Sequence, residues 1–317
     1  MKSINEKSKR LIKYLCVVAV IFVMVRASDL LDEKEIIFPE IAALSIGCFL
    51  APKLNWQTSY ARMIICIEIC AAMGMCIVVL IPLPLWIQVA LAFAIGQIVF
   101  MLSHTSLAPM ISAIVLPVLL QTRSPVYLVA TLLLTVLVVA IRILLERVSI
   151  MEKNTFSPLP APVKADWGAF AYRTVCVAIL ACICLRFEGK FFIAPPLLVA
   201  FTELSKVGHP AGKNKPKAIL LVSLCALAGA AMRFTLVMKC GFSPTVAALA
   251  ISVLIIILVE CVGLYFPPAG AIGVLALLIP DSAVLPYTIE VVLGIMALAL
   301  TADVWVKCCQ RLTKATE

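Results

Sequence analysis

Apolar residues run along this chain in blocks of roughly 15 to 25, separated by short polar clusters. That pattern belongs to a helical protein that crosses a bilayer several times. About twelve blocks can be marked, at residues 12–27, 36–50, 61–81, 85–102, 107–120, 126–145, 174–187, 191–204, 218–237, 245–265, 267–279 and 286–306. The second, fifth, eighth and eleventh stand apart. Each offers about 13–15 residues, or roughly 20–22 Å of helix, against a hydrocarbon core of about 30 Å. Each has proline at or near its start: Pro39, Pro109, Pro195-Pro196 and Pro267-Pro268. Proline suits the first helical turn, where its missing N–H costs nothing. The spacing therefore predicts a short, proline-started helix in every third block.

The short blocks repeat. Four residues after a proline of each stands alanine (Ala43, Ala113, Ala200 and Ala271), and the residue before it is small or β-branched (Ala42, Ser112, Val199, Gly270). Downstream, the interval from Arg62 to Gly74 equals that from Lys217 to Gly229. The unit is long helix, short helix, long helix, used four times. A polar stretch containing Ser157-Pro158-Leu159-Pro160-Ala161-Pro162 reads as a stiff linker. It divides the chain into an N-terminal six-helix half (1–148), a linker (149–172) and a C-terminal six-helix half (173–317). Three crossings per unit turn each unit upside down relative to the last and leave the two halves parallel, a nested inverted repeat known among transporters. The expected fold is an all-α polytopic membrane protein of four three-helix units.

Composition agrees. Of 317 residues, 63% are hydrophobic and 14% charged, with mean hydropathy +1.12, against about 45–50% apolar and about 25% charged in soluble domains. This excludes a soluble enzyme, a nucleic-acid module and a secreted disulfide scaffold. The net charge of +9 is concentrated where twelve crossings would place cytoplasmic loops. The positive-inside rule then puts both termini in the cytoplasm, in a membrane taken to be the bacterial cytoplasmic one. The first block is followed by Arg26-Ala27-Ser28 and acidic residues without a clean cleavage site, so it reads as a retained span. Thirteen cysteines, most of them inside apolar blocks, form no CxxC pair, and there are two histidines. No metal site or cofactor is expected. HExxH, GxSxG and phosphate-loop motifs are missing, so no catalytic residue is assigned and the chain is not expected to be an enzyme.

A helix that starts below the membrane surface points free N–H groups and a positive dipole end inward, and can bind an anion there. The fourth unit, with Pro267, Pro268, Gly270, Ala271 and Gly273, is the first candidate; the third, with Pro195, Pro196 and Ala200, is the second. The same small residues also suit tight helix packing. In the first unit Glu40 already supplies an anion at its own helix start. Glu68 and Glu260 lie inside blocks and are the proton-coupling candidates; for Glu68 an internal helix contact is the competing reading. Glu203, Glu290 and Asp303 lie closer to block ends, within reach of headgroups. Arg233 is expected to pair with a buried acid or to reach outward along its stem.

Phe266-Pro267-Pro268-Ala269-Gly270-Ala271-Ile272 resembles the His-Pro-Pro-Ala-Gly-Ala-Thr stretch of the HPP family of integral membrane proteins, with phenylalanine in place of the histidine. Ala194-Pro195-Pro196-Leu197-Leu198-Val199-Ala200, followed by Lys217 and Gly229, resembles that family's other short helix and the basic-then-glycine helix after it. The resemblance covers about 120 residues of the C-terminal half, the N-terminal half being a diverged copy. It implies passage of a small anion such as nitrite. A fusaric-acid-resistance or aromatic-acid-exporter membrane domain is the nearest rival. The partners expected are therefore a small anionic solute and the lipid bilayer, with no nucleic acid; self-association into a homo-oligomer is left open. A non-transporting structural subunit is the alternative from another class.

Overall fold

A computed structural model describes residues 5–316, and among these there is no strand. Residues 1–4 and 317, at the outer limits of the two halves, lie outside the described residues. The long helices are α1 (Glu6–Leu31), α3 (Tyr60–Leu80), α4 (Leu85–Leu102), α6 (Val126–Arg147), α7 (Lys164–Arg186), α10 (Lys215–Met232, continued by a π-turn Arg233–Lys239), α11 (Pro244–Val262) and α13 (Val284–Thr316). The short ones are α2 (Glu40–Ser45, continued by a π-turn Ile46–Leu50), α5 (Pro109–Leu120), α8 (Pro195–Leu204) and α12 (Pro267–Leu275), with α9 (Pro210–Lys213) a single turn in a loop. Eight helices are long and apolar enough to cross a membrane. Their outward faces carry exposed Leu11, Ile65, Leu133, Ile289 and Leu300, surface that water would penalise and lipid accepts. The chain is a polytopic helical membrane protein.

Side-chain bonds fix which turns share an end of the bundle. Gln57 N–H donates to Ser106 Oγ at 2.8 Å, Arg62 Nη1 to the Ser103 carbonyl at 2.6 Å, and Asn154 Nδ2 to the Thr58 carbonyl at 2.8 Å. At the opposite end Gln88 Nε2 donates to the Ile81 carbonyl and Gln121 Nε2 to Gln88 Oε1, both at 2.7 Å. So α5, although only 12 residues long, carries the chain from one end to the other. The same holds for α2. It begins with Phe38 edge-on to Tyr127, ring centres 6.0 Å apart, and finishes where Arg142 Nη1 donates to the Cys48 carbonyl beside Glu146. Extended residues and 3₁₀ turns such as Lys34–Ile36 and Lys190–Ile193 supply the remaining length.

The polar stretch is more than a spacer. Helix α7 starts at Lys164, inside the expected linker, and the residues before it are strapped across one end. Asn154 N–H donates to Glu146 Oε1 (3.1 Å), Arg62 sits 5.1 Å over the Phe156 ring, and Leu159 N–H donates to the His104 carbonyl (3.0 Å), with His104 Nδ1 2.9 Å from the Leu159 carbonyl. This is the strap end.

The halves repeat each other in detail. The packing of α3 on α5 matches that of α10 on α12, α1 on α11 matches α7 on α4, and α2 on α12 matches α8 on α5. Tyr127 Oη donates to the Ala113 carbonyl (2.8 Å) and Tyr287 Oη to the Ile272 carbonyl (2.6 Å). These bonds pair Ala113 with Ile272, and therefore Pro109 with Pro268. The alanine register expected from sequence is one residue out in the fourth unit, because the second proline of Pro267-Pro268 is the equivalent one.

Candidate functional site

The four short helices, one from each unit, meet at the centre. Helix α2 lies on α12 and α5 on α8, with α12 also against α8 and α2 against α5. Every residue of α2, α8 and α12 is buried, as is α5 as far as Leu119. Glycines on the surrounding helices permit the approach. A Cβ on Gly74 would stand on the Ile114 carbonyl oxygen, and one on Gly229 on the Gly273 carbonyl oxygen.

The residues expected to bind an anion all lie in this core, but their N–H groups are largely committed. Prolines 267 and 268 have no N–H to offer, and Ala269 N–H donates to the Phe266 carbonyl at 3.1 Å. At α8, Pro195 and Pro196 likewise offer none, and Leu197 and Leu198 both donate to the Ala194 carbonyl, at 2.7 and 3.3 Å. The expectation of open donors at these helix starts is corrected on this point: a double proline removes the groups it was thought to expose. Gly270 seats Ile46 Cδ1 of the π-turn that continues α2, and Gly273 faces Ile255 and the Cys225 carbonyl. Ala200 and Ala271 are fully buried beside them.

The proton-coupling candidates are not brought together. Glu68 is half-buried on α3, where Thr131 Oγ1 donates to it at 3.0 Å. Glu260 is half-buried at the far end of α11, lining a cleft of about 540 Å³ with Lys7, Arg10, Lys13, Tyr14 and Tyr265. Asp303 pairs with Lys215 and with Lys307 (3.1 Å), and Glu290 accepts the Phe191 N–H at 2.8 Å. Glu203 does not reach headgroups. It is 5% exposed, accepts from Trp56 Nε1 at 3.2 Å, and keeps Oε2 without a partner.

Two features escaped the sequence reading. The first is Glu40, set aside there as a local helix anion: it is 1% exposed in the core, Oε1 accepts from Ser112 Oγ of α5, and Oε2 has no partner. The second is a set of buried arginines at the C-terminal ends of short helices, where carbonyls lack intrahelical donors and the dipole favours cations. Of these the sequence singled out Arg233 alone, expecting a buried acid or an outward reach, whereas it is buried and the acid it meets, Asp281, is exposed. Arg142 serves α2 through the Cys48 carbonyl. Arg233 serves α12, donating to the Ala276 carbonyl at 2.6 Å and to that of Ile279, and pairing with Asp281 at 2.6 Å. Arg173 serves the end of α8, donating to Ser205 Oγ (2.7 Å) and to Gln97 Oε1 (3.2 Å), while Gln97 Nε2 donates to Thr202 (2.7 Å). Arg173 also lines a cavity of about 270 Å³ beneath the strap, with Thr105, Asp166 and Lys206. A basic residue near the margin of an apolar block is the sequence signal these share, but it is equally the signal of a cytoplasmic flank.

His209, in the loop after α8, caps α9: its Nδ1 accepts the Ala211 N–H at 3.3 Å, which requires the neutral ring. Burial, then the charge of Lys206, pushes the imidazole from 6.5 down to about 4. The unfolded chain therefore binds this proton more tightly. The stabilisation is full above about pH 6.5 and is lost as pH falls toward 4. A melting temperature measured in detergent should fall between pH 7 and pH 5, and the fall should be shallower in His209→Asn, which keeps a capping oxygen without the titration. Equal slopes in the two proteins would remove His209 as its source.

No protein-family model, curated protein or solved structure matches this chain.

Proposed function

We propose that the chain is a permease for a small anion, nitrite-like or a small organic acid, which passes along the core made by its four short helices. One observation carries the reading: four inverted units each contribute one short helix, buried along almost its whole length, to a single centre, and a carboxyl group with a free oxygen is retained there. Irregular and short helices at the middle of inverted repeats are the usual place of a transport site. Arg142 and Arg233 are ion-paired with Glu146 and Asp281, so the buried arginine that favours an approaching anion is Arg173 at the strap end. It stands in its cavity beneath the strap, and the charge pattern of the loops supports a cytoplasmic strap. The resemblance of Pro267–Ile272 to the HPP motif points the same way. Seams closed by alanine and glycine suit a small solute better than an aromatic acid, and a structural subunit would have no use for a buried free carboxyl oxygen.

The test is counterflow in proteoliposomes preloaded with unlabelled nitrite, formate, acetate or benzoate. Accelerated exchange of one or more of the three small anions, with benzoate at the level of protein-free vesicles, is the expected result. Absence of exchange for every anion would overturn the reading, and exchange of benzoate alone would transfer it to the exporter class.

A further inference from the structure

Glu40 is not needed to hold the core together, and that is what makes it informative. Aligning Pro39 with Pro196 and Pro109 with Pro268 sets Glu40 opposite Leu197 and Ser112 opposite Ala271. The contact of α8 with α12 thus repeats that of α2 with α5 with apolar residues in place of the polar pair. The repeat closes the same seam without a carboxyl on one side and with one on the other. Burying a carboxylate without a countercharge is costly enough that such groups take up a neutralising partner.

We infer that Glu40 binds the proton that travels with the solute on its free Oε2, while Ser112 donates to Oε1 across the seam between α2 and α5; the inference rests on the permease reading above. The surroundings exclude other partners. Helices α5 and α12 contain no titratable residue, and the buried face of α1 is Val17, Val20, Ile21, Met24, Val25 and Ser28. From α6 and α13 come the phenols of Tyr127 and Tyr287, both already donating to the Ala113 and Ile272 carbonyls. The only cation on the buried face of α6 is Arg142, which is bound to Glu146. A hard metal ion asks for about six or more oxygens, and among the described residues Ser112 Oγ is the one side-chain partner of the carboxyl. A proton needs only the free Oε2. In the closed core Glu40 is a neutral carboxylic acid. When α2 and α5 part and water reaches the seam between them, the O–H bond breaks, the proton leaves to water and the carboxylate is hydrated. An anion and a proton moving together carry no net charge across the membrane.

Two measurements test this. Infrared spectra of the purified protein in lipid nanodiscs at neutral pH should contain the carbonyl stretch of a protonated carboxyl that is lost in Glu40→Gln and shifted in Ser112→Ala. Glu203→Gln serves as the control that should leave this band in place. An unchanged band in Glu40→Gln would overturn the inference, whatever the protein transports. In proteoliposomes, Glu40→Gln should keep nitrite counterflow but lose accumulation of nitrite driven by an imposed pH gradient, down to the level of counterflow alone. Gradient-driven accumulation equal to wild type would overturn the inference and leave the permease reading intact. Failure of wild-type counterflow would overturn the permease reading and with it the coupling role, while the spectrum would still report whether Glu40 holds a proton. Should Glu40→Gln not fold, Glu40→Leu, the residue of the duplicated position, replaces it in both experiments.

Discussion

Gly229→Ala is expected to destabilise the protein by about 1–3 kcal/mol, and Gly229→Leu to abolish the folded species, because the seam at this position has no space for a Cβ. The new carbon would coincide with the Gly273 carbonyl oxygen and stand 2.9 Å from Ala276 Cβ, and neither belongs to a flexible side-chain end that can swing away. Gly74→Ala should behave alike, since its Cβ would meet the Ile114 carbonyl oxygen in the matching seam of the other half. Gly168 provides the contrast. Its Cβ would touch only the Trp305 ring edge at 3.4 Å, and alanine within a helix gains up to about 1 kcal/mol over glycine. Gly168→Ala should therefore be neutral or stabilising. Melting followed by size-exclusion fluorescence in detergent separates the cases, and a Gly229→Ala protein as stable as wild type would mean that α10 and α12 are not packed as described.

These two glycines also show what can be read from the sequence and what cannot. The equal intervals from Arg62 to Gly74 and from Lys217 to Gly229 marked the repeat correctly, because a backbone contact of this closeness tolerates no side chain in either copy. The basic residues at the other end of those intervals do not share a role: Arg62 binds the Ser103 carbonyl, whereas Lys217 is exposed. Block lengths and prolines located the four short helices, since both follow from local backbone chemistry. Register was harder. Two adjacent prolines are equivalent as helix starters, and only the Tyr287 bond to Ile272 selects Pro268.

The candidate site was legible as a region and not as a set of groups. Sequence placed attention on α8 and α12, which do lie in the core, but reasoned from donors that Pro195-Pro196 and Pro267-Pro268 cannot provide. It chose Glu68 and Glu260 for their depth inside their blocks and set Glu40 aside as the anion of its own helix start. Depth along one helix does not determine burial in a bundle: Glu68 looks half outward from α3, while Glu40, in the first turn of its helix, is enclosed by α5 and α12. The arginines' contacts were illegible for a related reason. Arg142 and Arg233 stand on the third helices of the second and third units and Arg173 on the first helix of the third, and a basic residue near a block margin does not announce which short-helix end it meets.

Arg142 should be the costliest of these to lose. It is 1% exposed and completes four interactions at once: Nε with Glu146 Oε1 (2.9 Å), Nη1 with the Cys48 carbonyl and with Met151 Sδ (3.1 Å), and Nη2 with the Glu152 carbonyl (2.9 Å). Glu146 in turn accepts from Tyr60 Oη and from Asn154 N–H, so one guanidinium ties α2, α3, α6 and the first residues of the strap. Arg142→Met removes the cation and leaves Glu146 and two carbonyls without it, a change that in buried pairs costs about 3–5 kcal/mol. Lysine should rescue little, because a point charge on a single nitrogen cannot reach a carboxylate and two separate carbonyls in the directions a planar fork does. The double variant Arg142→Met with Glu146→Gln should recover part of the loss, since the orphaned charge goes with its partner. The three melting temperatures, measured in one detergent, decide the matter. If Arg142→Met melts with wild type, or if the double variant is no more stable than the single one, the arginine is not what holds the strap end closed over α2.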